Sequence, residues 1–441
     1  MGYAQYKELD SSGVSWLQKK PSHWRIKRLK FSTDLINNKV SVEDSPLPYL
    51  GLEHIESWTG RKIEGEISNS EGLASSFVVG DVLFGKLRPY LAKVHLAQQD
   101  GLISSEALVV RSKDELHAEF LKYYMLSRDF INIVDSSTYG SKMPRASWDF
   151  IGNLPVLLPD VEEQKVIARF LDFKTAQVDA LISKKKVLLD KLAEKRTALI
   201  SHAVTKGLDP SVPMKNSEVD WLGDIPAHWV PKRMRFCMKT NPSKGEIKLS
   251  DDELVSFIPM EAVGEFGGLN LDTEKELGEI GGGYTYFADN DVVVAKITPC
   301  FENGKGAIAR GLKNGLAFGT TELHVMRSDD TLLPDYLFHL TMSHPFRCIG
   351  ESEMYGAGGQ KRVPETFLKD FRIGLPPVNE QQDIIDYINK VNQKLDLQMS
   401  KATDVIGRLT EYRSALITNA VTGKIDVRGF PIPQTAEGVA A

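Results

Sequence analysis

The chain repeats itself, and this constrains its fold more than any other feature. Residues 14–31, VSWLQKKPSHWRIKRLKF, return at 219–236 as VDWLGDIPAHWVPKRMRF, and residues 163–205 return without a gap at 380–422. In the second pair Glu163 and Gln164 match Glu380 and Gln381, and RTALISHAVT from Arg196 matches RSALITNAVT from Arg413. The repeat is domain-sized, far longer than the roughly 20–50 residues of a solenoid unit. Two halves of similar fold, related by a pseudo-two-fold axis, are therefore expected.

Composition narrows the class. With 441 residues, 42% hydrophobic and 26% charged, the chain can bury more than one core. Its apolar runs, such as VVVA after Asp291, fall well short of the ~20 residues that span a bilayer, and no signal-like start is seen, so a cytoplasmic protein is expected. Cys237, Cys300 and Cys348 are widely spaced and odd in number, which gives neither a disulfide framework nor a metal pair. A net charge of -5 means that any nucleic-acid binding must come from local basic surface or from a partner.

Each half reads as a mixed α/β segment followed by one long helix. Extended runs in the first half (PYLGLEHI, DVLFGKL, EALVVRS) precede a helical patch from His117, and the second half repeats this order with LVSFIPM, DVVVAKI, TELHVMRS and the helical PDYLFHLTMSHPFRCI. Pro159 and the pair Pro376 and Pro377 mark the entry to each long helix. Both helices carry a heptad seam. In the first it runs through Ile167, Leu171, Val178, Leu181, Leu188, Leu192 and Leu199, and in the second through Ile384, Ile388, Val391, Leu395, Val405, Leu409 and Leu416. Lysines interrupt the first seam where the second has Val391, Ala402 and Tyr412, so pairing of the two helices with each other is expected, with lysine stems lying over apolar partners.

Catalytic patterns fail one by one. GDVLFGKL from Gly80 lacks the Ser or Thr that a phosphate-binding loop needs, and a strand would run through it. PDVEEQK from Pro159 crowds its acids on one helical turn and becomes PPVNEQQ in the second copy, which suits a helix start with Glu163 and Glu380 at the positive end. His339, His344 and Cys348 have no fourth ligand and no counterpart in the first copy. GEIGGGY from Gly278 lacks a dinucleotide setting, and no Asn-Pro-Pro-Tyr-type motif of base methyltransferases occurs.

Basic residues give a better lead. Lys19, Lys20, Arg25, Lys27, Arg28 and Lys30 surround His23 and Trp24, and the second copy keeps His228, Trp229, Lys232, Arg233 and Arg235. Such density suits phosphates, although Trp24 and Trp229 equally suit core anchors beneath a solvated basic face. GKLRPY places Lys86, Arg88 and Tyr90 in one run, matched by Lys296 and Thr298. TYGSKMPR from Thr138 and MYGAGGQKR from Met354 combine glycines, which let backbone approach a phosphate, with the long donors Lys142, Arg145, Gln360, Lys361 and Arg362.

Taken in this order and twice over, VDWLGDIPAHW, DVVVAKITP with TTELHVMRS, YGAGGQ, LPPVNEQQDII and RSALITNAVTGKID make the sequence resemble the specificity (S) subunit of type I restriction-modification systems across almost its whole length. The resemblance implies a mixed α/β (α+β) fold of two similar target-recognition domains, at 1–158 and 208–376, separated by two long helices, at 159–207 and 377–425, that form an antiparallel coiled coil, with a tail at 426–441. It implies a non-catalytic chain that reads one half of a bipartite double-stranded DNA target with each domain. Two methyltransferase subunits would dock on the helices and motor-endonuclease subunits would join the full complex, with S-adenosylmethionine, ATP and Mg on those partners and no cofactor or metal here. The candidate DNA contacts are placed by chemistry on segments that vary with target in the family. Two alternatives remain at this point: a related DNA-recognition subunit of another defence or regulatory system, and an enzyme with catalysis hidden in the α/β domains.

Overall fold

A computed structural model describes residues 3–65, 72–140, 142–357 and 359–431, so only 426–431 of the expected tail are described, and Ser141 and Gly358 of the two glycine loops lie outside. By contacts the chain divides into two units: residues 1–185 with 403–441, and residues 186–402. The chain therefore leaves the first unit and returns to it, and the division falls inside both long helices.

Each unit is built around the same four-stranded antiparallel sheet. In the first its strands run in the order Thr33–Ile36, Ala107–Ser112, Val82–Gly85, Val94–Leu96; in the second, Met238–Thr240, Leu323–Ser328, Val292–Ala295, Gly306–Ile308. The run that imitated a phosphate loop is the central strand Val82–Gly85, buried at every position. A residue with positive φ, Gly80 in one copy and Asn290 in the other, turns the chain into this strand. The next residue is a buried aspartate held by a bidentate arginine: Arg111 on Asp81 at 2.7 and 2.9 Å, Arg327 on Asp291 at 2.7 and 2.7 Å. The same carboxylates accept the backbone N–H of Val78 and of Ala288. Two charges taken from water persist because each is fully paired.

The copies part company in a second sheet, which in each contains one parallel pair. Lys39–Ser41 extends the first copy's sheet beside Leu73–Phe77, whereas Glu274–Glu276 extends the second copy's beside Leu254–Ile258.

The helical patch from His117 is two helices, Ala118–Leu126 and Arg128–Ser136, broken at Ser127; the second copy breaks at Ser343 between Pro334–Met342 and His344–Ser352. Each serine turns its hydroxyl back onto a carbonyl, of Tyr124 or Leu340, at 2.7 Å. Gln164 is fully buried: its amide donates to the carbonyls of Glu115 and Pro159, and its oxygen accepts from His117 N–H. Gln381 repeats all three bonds with Thr331, Pro376 and Leu333. Each glutamine is thus a clamp joining the loop before the short helices to the start of the long one. Trp24 and Trp229 are core residues.

The long helices span Val161–Lys206 and Val378–Val421. In the first unit Ile167, Phe170 and Leu171 share a core with Leu416, Ile417, Ala420 and Val421, and farther along Asp179 pairs with Arg413 at 2.9 Å. In the second unit Ile200, Ala203 and Val204 share a core with Ile384, Ile385 and Ile388, while Arg196 pairs with Asp396. Rising numbers on one helix meet falling numbers on the other, so the pairing inside each unit is antiparallel. Gly207 and Gly423, both at positive φ, stop the helices against the tryptophans; a Cβ on Gly423 would meet Pro21 at 2.4 Å. Of the seam positions, Ile167, Leu171, Val178, Leu192, Ile384, Ile388, Leu395 and Leu416 are buried, and Leu199, Val391 and Leu409 half-buried. Leu181, Leu188 and Val405 are exposed, so the periodicity marks a face that the chain itself covers only in part.

Candidate nucleic-acid interface

At the end of the central strand each unit builds the same small platform. The middle segment, 86–88 or 296–298, is flanked on one side by the turn into Ala107–Ser112 or Leu323–Ser328: Lys86 N–H donates to Glu106 O, and Lys296 N–H to Glu322 O, both at 2.9 Å. On its other side lies the return of the glycine loop. Arg88 N–H donates to Pro144 O and Ala146 N–H to Lys86 O; Thr298 N–H donates to Lys361 O and Val363 N–H to Lys296 O. The loop's neck is closed by a two-way backbone pair, Tyr139 with Arg145 in the first copy and Tyr355 with Arg362 in the second.

The arginine at each neck is engaged. Arg145 donates Nε and Nη2 to the Glu106 carboxylate at 2.9 and 3.2 Å, and Arg362 does the same to Glu322 at 2.9 and 2.7 Å. The carboxylate holds each guanidinium above its already high range, and the Glu322 carboxyl is held below the usual range by Arg362. A fork already bound to a carboxylate is a positioning device first. This clasp was invisible in the sequence because its partners lie 39 and 40 residues apart.

The other candidates sit around the clasp. In the first copy Arg88, Tyr90 and Lys142 are exposed and Lys86 is half-buried. Arg88 has φ 51°, a left-handed conformation that starts the short turn Pro89–Leu91 and carries its side chain outward. In the second copy Gln360 and Lys361 are exposed, Lys296 and Thr298 half-buried, and the Thr298 hydroxyl donates to Lys361 O. Lys39 belongs with this group although no motif marks it in the sequence: burial and then the nearby Lys86 pull its ammonium down, and it donates to the Ser75 hydroxyl at 2.8 Å. Farther away, the basic stretch after Lys19 is partly neutralised, Lys27 binding both oxygens of Glu115, while in the second copy Arg233 and Arg235 share Asp370. Among the described residues no three His, Cys, Asp or Glu side chains gather as metal ligands, and the three cysteines are free.

A platform of backbone hydrogen bonds, an arginine clasp, and a loop whose length and side chains differ between copies is suited to presenting variable donors on a fixed frame. The family model for the type I restriction modification DNA specificity domain matches twice, at residues 59–190 and 274–406. The chain belongs to this family. It is 35% identical over 240 residues to the type I restriction enzyme EcoEI specificity subunit of Escherichia coli, a match covering 53% of this chain and 39% of that one. With the EcoAI specificity subunit of the same species identity is 36% over 239 residues, covering 53% and 40%. The chain thus spans about two fifths of the length of these curated relatives. The MjaVIII specificity subunit of Methanocaldococcus jannaschii aligns over 93% of this chain and 95% of its own at 22% identity. Among solved structures, one from work on complex assembly and conformational transition of the type I R-M system superposes with a TM-score of 0.68 over 92% of this chain and 99% of that one, at 17% identity, which establishes a shared fold.

Proposed function

We propose that this chain is the DNA-recognition subunit of a type I restriction-modification complex and that each unit reads one half of a bipartite target in double-stranded DNA. The observation that carries the reading is the doubled platform: one frame, matched bond for bond, bearing Arg88, Tyr90 and Lys142 in one copy and Thr298, Gln360 and Lys361 in the other. Equal frames with unequal donors are what a split, asymmetric sequence requires, since base edges are distinguished by which donors and acceptors meet them. Arg145 and Arg362 hold their loops in place, and Lys86 and Lys296 supply charge beside them. The exposed seam residues Leu181, Leu188 and Val405 suit docking of two methyltransferase subunits on the helices, with motor-endonuclease subunits completing the assembly in the cytoplasm. In this reading the chain directs chemistry and performs none; S-adenosylmethionine, ATP and Mg act on the partners.

Methylome sequencing of the host tests the proposal. It predicts modification at one motif made of two unequal half-sites across a spacer of fixed length. Methylation at a single continuous motif, or methyl transfer by the purified chain supplied with S-adenosylmethionine alone, would overturn it.

A further inference from the structure

We infer that Tyr139 and Tyr355 are the sequence-independent DNA contacts of the two units, each laying its ring against a deoxyribose and donating its hydroxyl to a phosphate. The inference rests on the DNA-recognition reading above and assigns a role that the loop's cations do not fill.

Both tyrosines stand at the outer edge of the platform, 62% and 66% exposed. They are not mobile ends. Tyr139 exchanges backbone bonds with Arg145 at 3.2 and 3.1 Å, and Tyr355 with Arg362 at 3.1 and 2.8 Å, while the arginines are pinned in turn by Glu106 and Glu322. The next residue is glycine at positive φ in both copies, Gly140 at 91° and Gly356 at 137°, and a Cβ on Gly356 would strike Gln360 O at 2.7 Å. Backbone, clasp and glycine thus fix where each tyrosine leaves the frame.

A single exposed aromatic side chain needs no explanation. The same one at the same register of two clasps does, because the loop beyond its glycine has diverged: the stretch from Gly140 to Arg145 is one residue shorter than that from Gly356 to Arg362, and its side chains differ. Residues that differ between copies are fitted to reading different half-sites. A residue kept in both is fitted to what the half-sites share, the sugar-phosphate backbone, whose contacts set register and orientation without carrying sequence. Tyrosine suits that task, with a flat apolar ring for the sugar and a hydroxyl donor for the phosphate, beside Lys86 or Lys296 for charge.

The test uses the full chain and a pool of duplexes with randomised sequence, followed by equilibrium binding to the selected duplex. Tyr139→Ala and Tyr355→Ala should each weaken binding about tenfold while the selected consensus stays the same in both halves. Tyr139→Phe and Tyr355→Phe, which keep the ring and the fold, should lose only several-fold, reporting the phosphate bond alone. Unchanged affinity in the alanine and phenylalanine variants, or a changed consensus in the half served by the altered tyrosine, would overturn the inference. If the unaltered chain selects no bipartite sequence, the reading beneath it fails instead.

Discussion

The two units root their short helices on the long ones at the same place and with different success. In the first, the Tyr123 hydroxyl reaches Asp172 at 2.5 Å and Thr175 at 3.3 Å, while Arg413 binds Asp179 and donates to the Trp58 carbonyl at 2.7 Å. In the second, the matching residues are His339, Asn389, Asn392, Arg196 and Asp396. The imidazole lines a cavity of about 60 Å³ together with Asn392 and Arg196, whose Oδ1 and Nε are buried without partners. The tryptophans repeat the contrast. Glu163 accepts from Trp24 at 3.2 Å and from Tyr6 at 2.7 Å and binds His23 at 2.8 Å, whereas Glu380 binds His228 at 2.7 Å and Trp229 Nε1 has no partner. A duplicated scaffold can keep its apolar packing and still differ in polar satisfaction, and the second unit carries the deficit.

The largest effect expected from this contrast is at Glu163. Glu163→Ala leaves the buried groups of Tyr6 and Trp24 without an acceptor and should cost about 3 kcal/mol or more. Glu380→Ala, which breaks one contact to a half-exposed histidine, should cost about 1 kcal/mol. Chemical denaturation of the two variants gives the comparison, and equal losses would break it. Next comes Tyr123→His, which imports the second unit's vacancy into the first and should destabilise it by about 2 kcal/mol, from a lost hydrogen bond and a new cavity.

Acid should weaken the second unit through His339. Burial, opposed by nearby Asp335 and Asn389, pulls the His339 imidazole down to about 4. An unfolded histidine titrates near 6.5, so between pH 6.5 and about 4 the unfolded state binds more protons and stability falls as pH falls, by about 3 kcal/mol at most. Hydrogen exchange in the helix Pro334–Met342 against pH measures this, with the same helix in a chain carrying His339→Tyr as the reference. The smallest effect is His339→Tyr, which fills the cavity and should stabilise the second unit by about 1 kcal/mol while removing that pH dependence.

Much of this architecture is legible in the sequence because it is local or repeated. The duplication announces two like units, heptads mark one face of each long helix, and the prolines at 159, 376 and 377 announce the helix starts. What escaped depends on residues brought together from afar. Gln164 reads in the sequence as part of a helix start, but its three bonds go to a loop near residue 115 and to Pro159. Arg145 and Arg362 read in the sequence as long donors beside glycines that let backbone approach a phosphate, and nothing near them in sequence announces Glu106 or Glu322. Periodicity likewise placed Leu181 and Leu188 on the seam without telling what covers them. Tyr139 and Tyr355 were legible as repeated letters, yet only their exposure on a fixed frame gives them a task.

If each platform serves its own half of one target, altering one platform should change one half alone. Gln360→Ala with Lys361→Ala in one chain removes exposed donors of the second unit and leaves the Arg362–Glu322 clasp in place. Expressed with the methyltransferase subunits proposed above and read by methylome sequencing, this chain should relax the sequence requirement in one half-site, at a cost of about 1–3 kcal/mol for each base-contacting residue. The other half-site and the spacer should stay as they were. Relaxation in both halves, or an unchanged motif, would contradict the account.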